Sequence, residues 1–131
     1  MPATSAALVD CLKTIGQFGV SEHLETDLVA RVLVVVEEVF LNTIKYGYAA
    51  ECDRPVRLGL NQGSGRLTLT YEDEAPSFDP AAWSADGERS QLAPSLREGE
   101  AGLALLFGLA DGVTHQPLQP GNRLVITFSA R

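Results

Sequence analysis

The hydrophobic period of this chain changes at about Pro55. Between Asp27 and Tyr46 apolar residues crowd at helical spacing, and from Val56 to Tyr71 they alternate with polar ones. A period of 3.6 followed by a period of two calls for helices that cover one face of a sheet. The first pattern predicts a long helix from Asp27 to about Tyr46, with Gly47 as its C-cap. Leu8, Cys11, Leu12 and Ile15 repeat at the same spacing and predict an earlier helix over Ala6 to Phe18, ending at Gly16 and Gly19. Ala49 to Arg54 reads as a loop, with Pro55 at a strand edge.

Val56, Leu58 and Leu60 alternate with Arg57, Gly59 and Asn61, and Leu67, Leu69 and Tyr71 alternate with Thr68, Thr70 and Glu72. Gln62-Gly63-Ser64-Gly65 between them is a hairpin turn rather than a phosphate loop. Asp73 to Pro80 is rich in turn residues. Ala81 to Gly99 mixes Pro, Ser, Gly and charges without period, a long connection of the kind that often carries function. Ala101 to Ala110 predicts a short apolar helix and Val113 to His115 a strand. Gln119-Pro120-Gly121-Asn122 predicts a turn, and Leu124, Ile126 and Phe128 a final strand. The expected class is therefore α/β (α+β): a two-layer sandwich of helices on one face of a mainly antiparallel sheet. The 131 residues fit one domain over 1–131 with a substantial core.

Composition narrows the function. The formal net charge is −7 and the pI about 4.7, with no basic stripe, which argues against nucleic acid and in favour of a protein as any macromolecular partner. Cys11 and Cys52 are too few for a disulfide scaffold and, with two His, show no metal-site spacing. They predict free thiols in a cytoplasmic setting. The sequence shows neither a signal peptide nor an apolar run of the roughly 20 residues that a membrane span needs.

The long helix carries a polar line. Arg31, Glu38, Asn42 and Lys45 fall in a narrow stripe flanked by Val34, Val35 and Leu41. One reading is a solvated face. The other is a pocket wall, in which a carboxylate, an amide oxygen and an ammonium one turn apart serve as base, metal ligand and phosphate contact.

The segment E-V-F-L-N-T-I-K-Y-G-Y resembles the N-box of Bergerat-fold ATPases, and most closely that of the anti-sigma-factor serine kinases. The resemblance implies Glu38 as general base and Asn42 as the amide-oxygen ligand of Mg²⁺. It also implies Lys45 as a phosphate contact. Glu37 is the competing carboxylate, but the four-residue spacing to Asn42 selects Glu38. Y-E-D-E-A-P-S-F-D-P is similar to the D-x-G-x-x-F-D-P box, whose Asp, here Asp73, accepts from the adenine amino group. Ala75 stands at the Gly of that box. R-E-G-E-A-G-L-A-L-L is similar to R-x-G-G-x-G-L-x-L, where Gly99, Gly102 and Leu103 match and the glycines admit backbone N–H groups to the phosphates. An ATP lid is implied over about 81–99, and G-N-R-L-V-I-T-F matches the closing strand.

Two glycines of these boxes are replaced, by Ala75 and Glu100. Ala75 suits the site if its backbone angles accommodate a Cβ; the alternative is that its methyl crowds the purine. Glu100 stands beside the expected triphosphate, either as a carboxylate that weakens phosphate affinity or as an acid favoured at a helix N-terminus. Trp83 is read as a packing anchor in preference to a cap on the lid, Arg97 as an exposed arginine in preference to a phosphate contact, and His23 and His115 as surface or structural residues.

The resemblance implies an ATP- and Mg²⁺-dependent serine/threonine-protein kinase. It would act as an anti-sigma factor in transcription regulation on a small anti-anti-sigma (STAS-type) protein, a sigma factor, or both. The alternative is a protein-binding module on the same fold without turnover. Homodimers are common in the family. A free-standing histidine kinase is disfavoured, because the stretch before the long helix is too short for a dimerising helix pair bearing a phospho-accepting His.

Overall fold

The computed structural model describes residues 1–76 and 106–130. Strand β1 (Pro2–Ala3) leads into α1 (Ser5–Ser21) and α2 (Thr26–Asn42), which continues as a π-helical turn over Thr43–Gly47. Strands β2 (Cys52–Gly63), β3 (Arg66–Asp73), β4 (Gly112–Leu118) and β5 (Gly121–Ser129) follow, with a helical turn at 106–109 before β4. The five-stranded sheet has the order β1-β2-β3-β5-β4, and every ladder is antiparallel. The helices cover one face, as the change of period requires.

The boundaries differ from expectation where long-range contacts decide them. Helix α1 runs beyond Phe18, because Gly16 and Gly19 are helical. Gly19 lies where a Cβ would stand 2.6 Å from a Val29 methyl, so it permits the close approach of α2. The expected loop before Pro55 is already strand from Cys52, since β1 pairs with that stretch (Ala3 opposite Cys52, Pro2 opposite Pro55). The hairpin between β2 and β3 turns on Ser64 and Gly65, both at positive φ (55° and 73°), the backbone of a two-residue primed turn.

Leu28, Val32, Val35, Val36 and Phe40 form the buried stripe of α2. They meet the inward residues Val56 of β2, Leu67, Leu69 and Tyr71 of β3, and Leu124, Ile126 and Phe128 of β5 in one cluster. On the uncovered face Arg57, Glu72, Arg123 and Gln116 stand in register across four strands. Arg123 Nε lies 3.0 Å from Glu72 and Arg57 Nε 3.4 Å. The hydrogen bond from Arg123 is the main influence holding the Glu72 carboxyl below its usual range.

The β3–β5 ladder runs from Arg66 opposite Ser129 at one end to Asp73 opposite Asn122 at the other. At about 3.3 Å per residue those ends are roughly 23 Å apart. This separation divides the polar line of α2. Arg31 is 5% exposed and donates to Leu109 O (3.2 Å) and Ser129 O (2.6 Å), at the Arg66 end. It is a structural clamp between α2, the 106–109 turn and β5, not part of a pocket with Glu38, Asn42 and Lys45. No helix among the described residues is long and apolar enough to cross a membrane.

Candidate functional site

The site lies at the Asp73 end of the sheet, where α2 loses its regular winding. The Tyr48 N–H bonds to Thr43 O at 2.7 Å, an i→i+5 closure that widens the last turn. The Thr43 hydroxyl lies 3.1 Å from Val39 O, an acceptor on the preceding turn that competes for its proton. It also lies 3.0 Å from Asp73 Oδ2 and 2.6 Å from the Tyr71 hydroxyl. Thr43 has one proton to give. Burial pushes the Tyr71 phenol well above its ordinary value, so Tyr71 remains a donor, giving its proton to Thr43. That leaves the Thr43 proton for Asp73, the stronger acceptor of its two.

Asp73 is buried at 6% exposure. Its Oδ1 accepts from Asn122 Nδ2 at 2.9 Å and from the Ala75 N–H at 3.2 Å. The second contact is an Asx-turn, in which the side chain braces its own backbone two residues on. Among the described residues the carboxyl thus has three donors against about four lone-pair positions, which leaves room there for one more N–H. Gly121 is required here. Its φ is +117°, and a Cβ would collide with the Asp73 carbonyl oxygen.

Ala75, at the glycine of the D-x-G pattern, is 2% exposed and is not among the residues at positive φ. Its methyl takes space that Gly47 vacates, because a Cβ on Gly47 would lie 2.8 Å from the Ala75 Cβ. The two positions therefore exchange bulk across the site. Gly47→Ala is expected to destabilise the protein by about 1–3 kcal/mol through overpacking. Adding Ala75→Gly should recover most of that in urea unfolding, and strictly additive losses would show that the two do not meet.

Tyr48 braces the same corner. Its hydroxyl donates to Pro55 O (2.7 Å) and accepts from the Glu74 N–H (2.8 Å). Arg54 stacks 4.6 Å from its ring centroid and donates to Glu74 O (2.8 Å). Burial, the largest influence, raises the phenol above its ordinary value and preserves the proton that it donates.

Glu38 and Asn42 lie one turn apart on α2, and both are half-buried. Among the described residues neither side chain has a hydrogen bond or ion pair. Glu37 is exposed, so Glu38 alone of the two faces partly inward. Lys45 is exposed on the widened turn, where each residue advances less than in an α-helix and the stripe drifts. Gly99, Glu100, Gly102 and Leu103, together with Trp83, Arg97 and the segment 81–99, lie outside the described residues.

The structure adds Thr43, Tyr48, Tyr71, Asn122 and His115 to the sequence-derived set. Asn122 had a signal. It has the parity of Leu124, Ile126 and Phe128, so it faces inward, just as Asp73 extends the inward series Leu67, Leu69 and Tyr71. Thr43 and His115 carried no comparable mark.

Helices on one face of an antiparallel sheet, with an acidic strand end beside a polar helix terminus, fit the Bergerat type of ATPase domain. The family model described as the histidine kinase-like ATPase domain matches residues 1–128. The chain belongs to that family. No curated protein matches it.

Proposed function

We propose that this protein is an ATP-dependent serine/threonine-protein kinase acting as an anti-sigma regulatory factor on a small anti-anti-sigma partner in the cytoplasm. The observation that carries the nucleotide part is the Asp73 carboxyl, buried, oriented by three donors among the described residues and with acceptor capacity for one more. An adenine amino group supplies that N–H, whereas a guanine carbonyl would face the carboxyl as a second acceptor. Asn42 fits the second requirement. Its amide has no partner among the described residues, and Mg²⁺ on a nucleotide takes one or two protein oxygens and fills its shell with phosphates and water.

Bound Mg·ATP would supply the phosphoryl group and the charge neutralisation for its transfer. Glu38 takes the proton from the incoming serine or threonine hydroxyl, from a half-buried position one turn before Asn42. Lys45, exposed at the helix end, meets phosphate. Gly99, Gly102 and Leu103 complete the phosphate contacts on the family pattern. Ala75 lines the base side, and its backbone, which is not at positive φ, supports a residue with a Cβ at this position. The partner assignment rests on the resemblance of the N-box to the serine-kinase branch.

Calorimetric titration of Mg·ATP tests the reading, and no binding at millimolar nucleotide would sink it. Asp73→Asn is expected to weaken Mg·ATP about a hundredfold. The new amide NH₂ would face Thr43, Asn122 or the Ala75 N–H, and adenine would lose its acceptor. Affinity within threefold of wild type would show that Asp73 does not hold the base.

A further inference from the structure

We infer that His115 is a positioning residue for nucleobase selection, holding through Asn122 the orientation in which Asp73 accepts from a purine amino group. The inference rests on the proposed reading of Asp73 as the base acceptor. Asn122 is 6% exposed, and its Nδ2 faces three acceptors: Asp73 Oδ1 (2.9 Å), Pro76 O (3.0 Å) and Ala75 O (3.3 Å). An amide nitrogen carries two hydrogens, so these acceptors compete. The tilt of the amide plane decides which are served, and an asparagine χ2 is broad enough to serve the two carbonyls and leave the carboxyl.

His115 sets that plane. Its Nε2 lies 2.8 Å from Asn122 Oδ1. The amide oxygen only accepts, so His115 must donate there, as the Nε2–H tautomer or as imidazolium. Because the amide is planar, fixing Oδ1 also fixes the directions of both N–H bonds. The ladder supplies the reach: His115 is opposite Leu124 on β5, which makes Asn122 its diagonal neighbour on the inward face. A histidine on the edge strand, half-buried and without direct contact to Asp73 among the described bonds, thereby acts on it through one intermediary.

The test compares ATP with inosine triphosphate, which has a carbonyl where adenine has its amino group, by calorimetry on wild type, His115→Leu and His115→Gln. Wild type is expected to prefer ATP. His115→Leu should reduce that preference about tenfold, the value of one well-made buried hydrogen bond. His115→Gln, which presents an N–H to Asn122, should return it to within about threefold of wild type. A purely structural role would lower stability in both variants without moving the ratio. An unchanged ratio in His115→Leu, or equal loss in both variants, overturns the inference. A wild type that binds both nucleotides equally removes the reading of Asp73 and the inference with it. Independently of any nucleotide, ¹⁵N NMR of wild type at alkaline pH should show the Nε2–H tautomer of His115. The Nδ1–H tautomer would overturn the relay even if ATP is preferred.

Discussion

Glu38→Ala is expected to lower phosphoryl transfer about a thousandfold while Mg·ATP affinity stays within about threefold. A positioned general base contributes on the order of 10²–10⁴ in rate, and it acts on the incoming hydroxyl rather than on the nucleotide. Glu38 has the position for this work. It is half-buried on α2, one turn before Asn42, with no hydrogen bond or ion pair to a described residue that would absorb its acceptor capacity. Glu37→Ala is the matched control, since that carboxylate is exposed and should leave transfer nearly unchanged. The measurements are single-turnover transfer from ATP and calorimetry on the same preparations. A parallel fall in transfer and binding would make Glu38 a support for the helix terminus instead of a base. A large effect from Glu37 would reassign the role.

Arg31→Met is expected to cost about 3–5 kcal/mol of unfolding free energy, the range seen when one side of a buried charged contact is removed. Methionine fills similar volume but donates nothing. The carbonyls of Leu109 and Ser129 then lose the guanidinium that satisfies them, and three elements lose their common tie. Asp27 also bonds Arg31, at 3.1 Å, but its side chain is 67% exposed, so this contact lies mostly in water. Asp27→Asn should therefore cost less than about 1 kcal/mol. Urea unfolding of the two variants separates the contributions. Equal effects would mean that the exposed ion pair, not the buried clamp, is what Arg31 supplies. Because Arg31 lies at the far end of the β3–β5 ladder from Asp73, nucleotide affinity should not change in a folded Arg31→Met protein.

The proposed site residues carry local marks, but their roles come from resemblance. Spacing places Glu38 and Asn42 one helical turn apart and Asp73 at the end of an alternating strand, and it is equally met by a solvated face; the N-box and the D-x-G-like box single these residues out. The polar line was legible as a line but not as two sites. A helical wheel records angle and ignores distance along the axis, which is why Arg31 was grouped with residues that face the other end of the sheet. The π-helical turn was also hidden. It is held by Thr43 contacts to Tyr71 and Asp73, partners 28 and 30 residues away, which no local window contains.

By itself the amino-acid sequence determined the layer arrangement, the hairpin at Ser64-Gly65 and the residues that could do chemistry. Those features follow from periodicity, from turn propensities and from side-chain type, all of which act over a few residues. Only the tertiary structure decided that Asp73 faces Asn122, that His115 reaches Asn122 from the neighbouring strand, and that Ala75 fits against Gly47. The first joins residues 49 apart and the third residues 28 apart, while the second joins residues only 7 apart but across the β4–β5 ladder, whose register decides which side chains meet. A shift of register by one residue would turn Asp73, His115 or Asn122 to the opposite face relative to its neighbours while leaving the alternation of the sequence unchanged.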